Sequence, residues 1–201
     1  MPAKKSAKKI APPRLPILSE DQLAPAQRAL LQSIRSGPRG GSTTIRGPFA
    51  VFLHAPAFGE LAQRLGGHCR FNTGVPPRLS EFAILATARL WKSQYEWAAH
   101  AAIAEKQGVT PDTIRDLRAG RMPKKVPKDE RAIYAFVKEL YRDKRVSSRT
   151  YKDVNTLLGD AGTVELVGLL GYYAMVAMTL DVFRMPVPEG TPLPFREPAI
   201  A

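Results

Sequence analysis

The run from Leu166 to Leu180, LVGLLGYYAMVAMTL, holds fifteen residues without a charge, bracketed by Glu165 and Asp181. A segment so apolar has to leave water, yet it falls short of the roughly 20 apolar residues that a bilayer crossing needs. It therefore reads as a buried or subunit-facing helix over Thr163 to Phe183 rather than a membrane span. Gly168, Gly171, Ala174 and Ala177 offer small side chains where another helix can come close. No convincing period-two strand appears elsewhere, so the expectation is an all-α, single-domain helical bundle.

The remaining elements follow from spacing and punctuation. Ser19 and Gln22 spell a capping box ahead of Leu23, Leu30, Leu31 and Ile34, a first helix that stops at Gly37. The connector SGPRGGSTTIRGP lacks the GK[ST] ending of a phosphate loop, and its Arg46 offers a guanidinium to an anion. After a short apolar turn at Phe49 to His54, the residues Phe58, Leu61, Ala62, Leu65 and Cys69 mark a further helix with Cys69 toward a core. Helices over Ser80 to Trp91 and Gln94 to Gln107, joined by a very short turn and closed by Gly108, should pair as an antiparallel hairpin. Thr110 and Pro111 open a helix ending near Gly120. Asp129 to Tyr141 and Ser148 to Leu158 supply two more.

Charge narrows the sign of a partner without naming it. Thirty Lys and Arg against eighteen Asp and Glu give +12; five of those cations fall in the first fourteen residues, leaving +7 for the rest. A body this basic favours anions by long-range attraction. The opening MPAKKSAKKIAPPRLP has no apolar stretch behind its charges, so it is not a secretory signal and reads as a basic disordered arm over residues 1–17. Its lysine pairs could touch nucleic-acid phosphates, but no aromatic is interleaved for base stacking, and the plainer reading is a solvating arm. Cys69 is the only cysteine, which removes any disulfide framework and any CxxC pattern and points to a reducing cytoplasm. The body is expected over residues 18–185, followed by a proline-rich tail over 186–201.

The polar residues of interest are concentrated in PPRLSEFAILATARLWKSQYEWAAHAAIAEKQG, from Pro76 to Gly108. Glu96 and His100, four apart, can share a helix face, and an antiparallel hairpin would bring Glu81 close to His100. A carboxylate, imidazole, carboxylate cluster suits proton transfer, because neighbouring charge and partial burial move both kinds of group toward neutral pH. The same pattern also fits a first-turn acid favoured by the helix dipole and an exposed Glu–His pair. One Glu and one His at spacing four with a remote Glu match no standard metal ligand set. Ser93 could cap its helix or bond a ligand; two turns from His100 and without a nucleophile elbow, it makes a poor hydrolytic nucleophile. Trp91, Tyr95 and Trp97 read as core, interface or pocket walls. Arg46 or Arg89 could hold a substrate carboxylate.

The same run closely resembles the carboxymuconolactone decarboxylase family, within the alkylhydroperoxidase D-like superfamily. GPFAVFLHAPAFGELAQRLG upstream and ELVGLLGYYAMVAMTL downstream look like that family's flanking segments, so the resemblance spans Leu18 to Phe195. It implies an all-helical domain assembled as a homo-oligomer, commonly a trimer or hexamer, with sites near subunit contacts. In the redox-active branch of the superfamily a Glu precedes a CxxC pair and a His follows it. Glu81 and His100 match these two, while Ser93 and Glu96 stand where the cysteines would be. With both sulfurs absent, CxxC-dependent peroxidase or disulfide reductase chemistry is ruled out at this position. The YEW of Tyr95, Glu96 and Trp97 is similar to the decarboxylase-like branch.

What the resemblance implies is a cofactor-independent decarboxylase-like or lyase-like enzyme acting on a small carboxylated lactone or related acid, as in catabolism of aromatic compounds. His100 would be the general acid/base, with Glu81 and Glu96 orienting it. Arg46, Arg89, Ser93, Tyr95 and Trp97 would surround the substrate. Neither metal nor nucleotide is required. The competing readings are a non-catalytic oligomeric binding or stress-associated protein on the same scaffold, and a hydrolase or isomerase using the same groups.

Overall fold

A computed structural model describes residues 12–41 and 43–196. Among these residues the fold is all-α, with eight α-helices: α1 (Pro25–Ser36), α2 (Pro48–Phe52), α3 (Pro56–Phe71), α4 (Pro77–Trp91), α5 (Gln94–Lys106), α6 (Pro111–Arg118), α7 (Lys128–Asp143) and α8 (Ser148–Val182). Five of them open on a proline. At the first helical position its missing N–H would be unpaired in any case and its fixed φ already suits a helix.

The centre of the bundle is α4, which packs against α5, α7 and α8. Phe82, Ala83, Ile84 and Leu85 are four consecutive residues with no exposure at all, so this helix is surrounded on every side. Each large apolar side chain buried this way stabilises the fold by about 1.5–3 kcal/mol. From α8, Leu166, Leu169, Leu170, Tyr173, Val176 and Leu180 face the same core. By length and composition α8 could cross a membrane, but half of its most apolar window is buried inside the bundle. Gly159, with φ +70° and ψ −179°, breaks it into the two helical segments that the sequence spacing separates.

Several local expectations are corrected. Ser19 and Gln22 close only a 3-10 turn, Ser19 Oγ donating to Gln22 Oε1 at 2.8 Å, and α1 begins at Pro25. In α3, Phe58, Leu61 and Leu65 point outward at 51%, 70% and 50% exposure, whereas Gly59, Ala62, Gly66 and Cys69 face inward. The reason is close approach: a Cβ at Gly66 would overlap the Tyr172 phenol of α8, so only the small-residue side of α3 fits there. The four small residues of α8 do not share a face either. Ala174 and Ala177 are buried, while Gly168 and Gly171 have open space beyond them.

Residues 12–17, expected as the end of a free arm, are docked on the body. The Arg14 backbone N–H donates to Phe183 O at 3.0 Å, its Nη1 donates to Val182 O at 2.9 Å, and Leu15 packs on the main core. Lys4, Lys5, Lys8 and Lys9 lie outside the described residues. The tail is held by Gln94, whose Oε1 accepts from Phe195 N and whose Nε2 donates to Phe195 O, each at 2.9 Å.

Candidate active site

The α4–α5 hairpin turns through Lys92 in the left-handed conformation, φ +55°, with Ser93 N–H donating to Ala88 O at 2.9 Å. Because α4 starts at Pro77, Glu81 sits in its second turn, inside the protein at 4% exposure, and not in a solvated first turn as an N-terminal dipole acid. The antiparallel return of α5 brings His100 to it, with Nδ1 and Glu81 Oε2 2.7 Å apart. The other carboxylate oxygen faces Arg70 Nε of α3 at 3.4 Å. Tyr173 of α8 meets the imidazole edge-on at 5.1 Å between ring centroids, and Tyr172 stands 5.4 Å behind it. With Nδ1–H donating to Glu81, the lone pair of a neutral imidazole lies on Nε2.

This dyad opens into a cleft of about 530 Å³, within the size range of small-molecule sites. His100, Glu96, Tyr95, Tyr172 and Tyr173 form its wall, and Arg39, Arg46 and Arg70 supply three guanidinium groups. Arg39 is fixed by its Nη1 donating to Gln63 O at 3.0 Å and by lying 5.2 Å over the Phe49 ring. Arg46 is exposed at the mouth, just before Gly47, whose φ of +56° and lack of a Cβ let the Tyr95 ring pack against the loop backbone. Burial pushes the Tyr172 phenol up to about 12 and raises Tyr173 as well, so both remain neutral hydrogen-bond donors at physiological pH.

Glu96 does not pair with His100. The sequence Ser93-Gln94-Tyr95-Glu96 spells a capping box, but the Ser93 N–H is already taken by Ala88 O. The Glu96 carboxyl is left with both oxygens buried and without a hydrogen-bond partner, at 1% exposure in the cleft wall. Burial, with the nearby Asp181 charge adding to it, holds this group well above the ordinary carboxylate range. It stands apart from the Glu81–His100 hydrogen bond and has no part in orienting the imidazole.

Other expected site residues are placed elsewhere. Ser93 is fully buried, its Oγ neither caps α5 nor has a partner, and it does not line the cleft. Trp97 is buried against Phe195 at 5.2 Å. Arg89 lies away from the cleft, with Nε donating to Arg118 O at 2.8 Å. Conversely, Arg39, Arg70, Tyr172 and Tyr173 reach the cleft without having been singled out. The one available signal was the Tyr pair inside the uncharged run, where two polar hydroxyls need a reason to be buried. Among the described residues no group of three His, Cys, Asp or Glu is placed to hold a metal ion.

Comparison with known proteins agrees with this geometry at the level of scaffold. Residues 56–137, from the start of α3 to the middle of α7, match the carboxymuconolactone decarboxylase family. Among solved structures, the chain is similar to one from Ralstonia eutropha described as an alkylhydroperoxidase AhpD core, an uncharacterized peroxidase-related protein. The TM-score is 0.74 at 14% identity, over 91% of this chain and 95% of that one, a likeness of fold. No curated protein matches the chain.

Proposed function

We propose, from the premise that residues 56–137 are a carboxymuconolactone decarboxylase family segment within an alkylhydroperoxidase-like helical fold, that this protein is a decarboxylase-like or lyase-like enzyme working without a cofactor. Its substrate is a small carboxylated lactone or a related acid. The observation that carries this reading is the buried Glu81–His100 pair, whose imidazole lies in the wall of an arginine-lined cleft. By the family resemblance, Ser93 and Glu96 stand where redox-active relatives carry thiols, so the peroxidase relation of the structural neighbour is not extended to this chain.

Loss of a carboxyl group as CO₂ leaves an electron pair on the adjoining carbon, delocalised into a neighbouring carbonyl, and the reaction closes when that carbon takes up a proton. His100 Nε2 is the group to deliver it. Glu81, hydrogen-bonded at Nδ1, holds the ring in one orientation and supports the imidazolium before transfer; general acid catalysis of this kind is worth about 10²–10⁴-fold in rate. Arg70, Arg46 and Arg39 attract and orient the substrate's remaining anionic groups. Tyr172 and Tyr173 wall the site and donate hydrogen bonds.

The same reading includes a homo-oligomer in a reducing cytoplasm. What supports assembly is the number of large apolar side chains left exposed in one chain: Leu61 and Leu65 of α3, and Val164, Val167 and Met178 of α8. The test of the function is CO₂ release from a panel of small carboxylated lactones and 3-oxo acids, with the His100→Ala variant in parallel. Release by the wild type that the variant lacks supports the reading; no turnover on any member by wild type counts against it.

A further inference from the structure

Arg89 belongs to a different cavity. About 250 Å³ in volume, it lies between α4, α6 and α7, and none of its lining residues is shared with the cleft. The buried Ala86, Leu117 and Val137 give it an apolar floor, the half-exposed Leu90 an apolar edge, and Arg89, Lys138 and Tyr134 its polar groups. No acidic residue lines it. Neither Arg89 nor Lys138 has a carboxylate partner among the described residues.

Two contacts hold Arg89 in place before any ligand arrives: its Nε donates to Arg118 O at 2.8 Å, and its guanidinium carbon lies 5.4 Å from the Phe195 ring centroid. Arg118 is itself anchored, its Nε donating to Pro194 O at 2.9 Å. Gly120, at φ +72°, gives the guanidinium room: a Cβ there would stand 2.8 Å from one Nη. The Tyr134 phenol is raised by burial, with the Arg89 charge opposing the shift, so it is a neutral donor close to the cation. A preorganised fork, a second cation and a phenol around a hydrocarbon floor are the elements that recognise a carboxylate on an apolar body.

We propose that this cavity is a second binding site, separate from the cleft, for a small monocarboxylic acid with a compact apolar body. The carboxylate lies between the Arg89 Nη atoms and the Lys138 ammonium, accepting also from Tyr134, while the hydrocarbon part covers Leu90, Leu117 and Val137. The volume, below the usual range for drug-sized ligands, sets the scale at a benzoate-sized molecule. The site does not depend on the reaction carried out in the cleft.

The experiment is titration of the full chain with benzoate, read on the methyl resonances of Leu90, Leu117 and Val137, with benzylamine as the control of opposite charge. Saturable shifts at these methyls are expected with benzoate and not with benzylamine. Arg89→Gln should weaken binding about ten-fold or more, since a charge-assisted contact is lost. Lys138→Gln should weaken it as well; Lys138 is exposed, so this variant tests the site even if Arg89→Gln does not fold. Arg46→Gln and Arg70→Gln should leave these shifts unchanged. The proposal is overturned if benzoate leaves the three methyls unmoved, if benzylamine binds as well as benzoate, or if the shifts survive Lys138→Gln and vanish in Arg70→Gln.

Discussion

Glu81 and His100 lie nineteen residues apart in sequence and 2.7 Å apart in space, on facing turns of α4 and α5. Their contact is buried at both ends, with side-chain exposures of 5% and 9%. An imidazole held by a carboxylate at one nitrogen, with the other ring nitrogen available to an arginine-lined cleft, is an arrangement fit for moving a proton.

Substituting Glu81 by Gln should cut turnover by about 10²-fold or more while leaving circular dichroism and assembly intact, because the amide is nearly isosteric but cannot stabilise the imidazolium. Steady-state kinetics on whichever carboxylated substrate the wild type accepts provides the check. A Glu81→Gln enzyme with unchanged kcat would assign the pair a purely structural role.

Glu96 should make the protein less stable as pH rises. Its folded-state pKa is raised above the ordinary 4.5, so between those two values the folded protein keeps a proton that the unfolded chain has lost. Stability is then full below the ordinary value and declines through that window, by up to about 1.4 kcal/mol per pH unit from this group. In Glu96→Gln that part of the slope should disappear. Urea unfolding across the pH range measures it, and identical slopes in both proteins would show that Glu96 is not held neutral.

Much of the scaffold is legible in the sequence because its signals are local. Pro111 after the capping Thr110, Gly108 after α5 and the period of Ile133, Phe136 and Val137 each specify an element without help from the rest of the chain. The site is legible only in the hairpin. Glu81 and His100 are read from two adjacent helices whose short turn forces them to pack, but Arg39, Arg70 and Tyr172 come from segments far apart in sequence, and their convergence depends on tertiary packing. Local pattern also misleads at Ser93 and Glu96, where a well-formed capping signature loses to the Ala88 carbonyl, and at Leu61 and Leu65, where apolar spacing marks an outward face.

Arg70→Gln and Arg46→Gln should raise KM by about ten-fold or more with a smaller effect on kcat, since each removes a charge-assisted contact to substrate. Added salt should raise the wild-type KM and have less effect on the exposed Arg46 variant. Kinetics at two ionic strengths decide this. Salt-independent KM in the wild type would remove Arg46 from substrate capture.

Gly66→Ala should destabilise the fold by about 1–3 kcal/mol, because its Cβ would overlap the Tyr172 phenol. Tyr172→Leu should make the second change largely harmless. A double-mutant cycle by denaturant unfolding reads the coupling. Additive effects would mean that α3 and α8 do not approach as described.

Leu61→Glu combined with Val164→Glu should lower the assembly state, since these apolar residues are 70% and 72% exposed and surface charge there costs the isolated chain little. Sedimentation velocity separates the outcomes. A wild-type monomer, or an oligomer indifferent to both substitutions, would place any interface elsewhere.

If His100 itself carries the proton, chemical rescue will show it. Turnover by His100→Ala is measured while free imidazole is added, on a substrate that the wild type converts. The variant should be inactive alone, with a rate that rises with imidazole and saturates, because the truncated side chain leaves a ring-sized space beside Glu81 at the edge of the cleft. A variant that turns over at the wild-type rate without imidazole would contradict it.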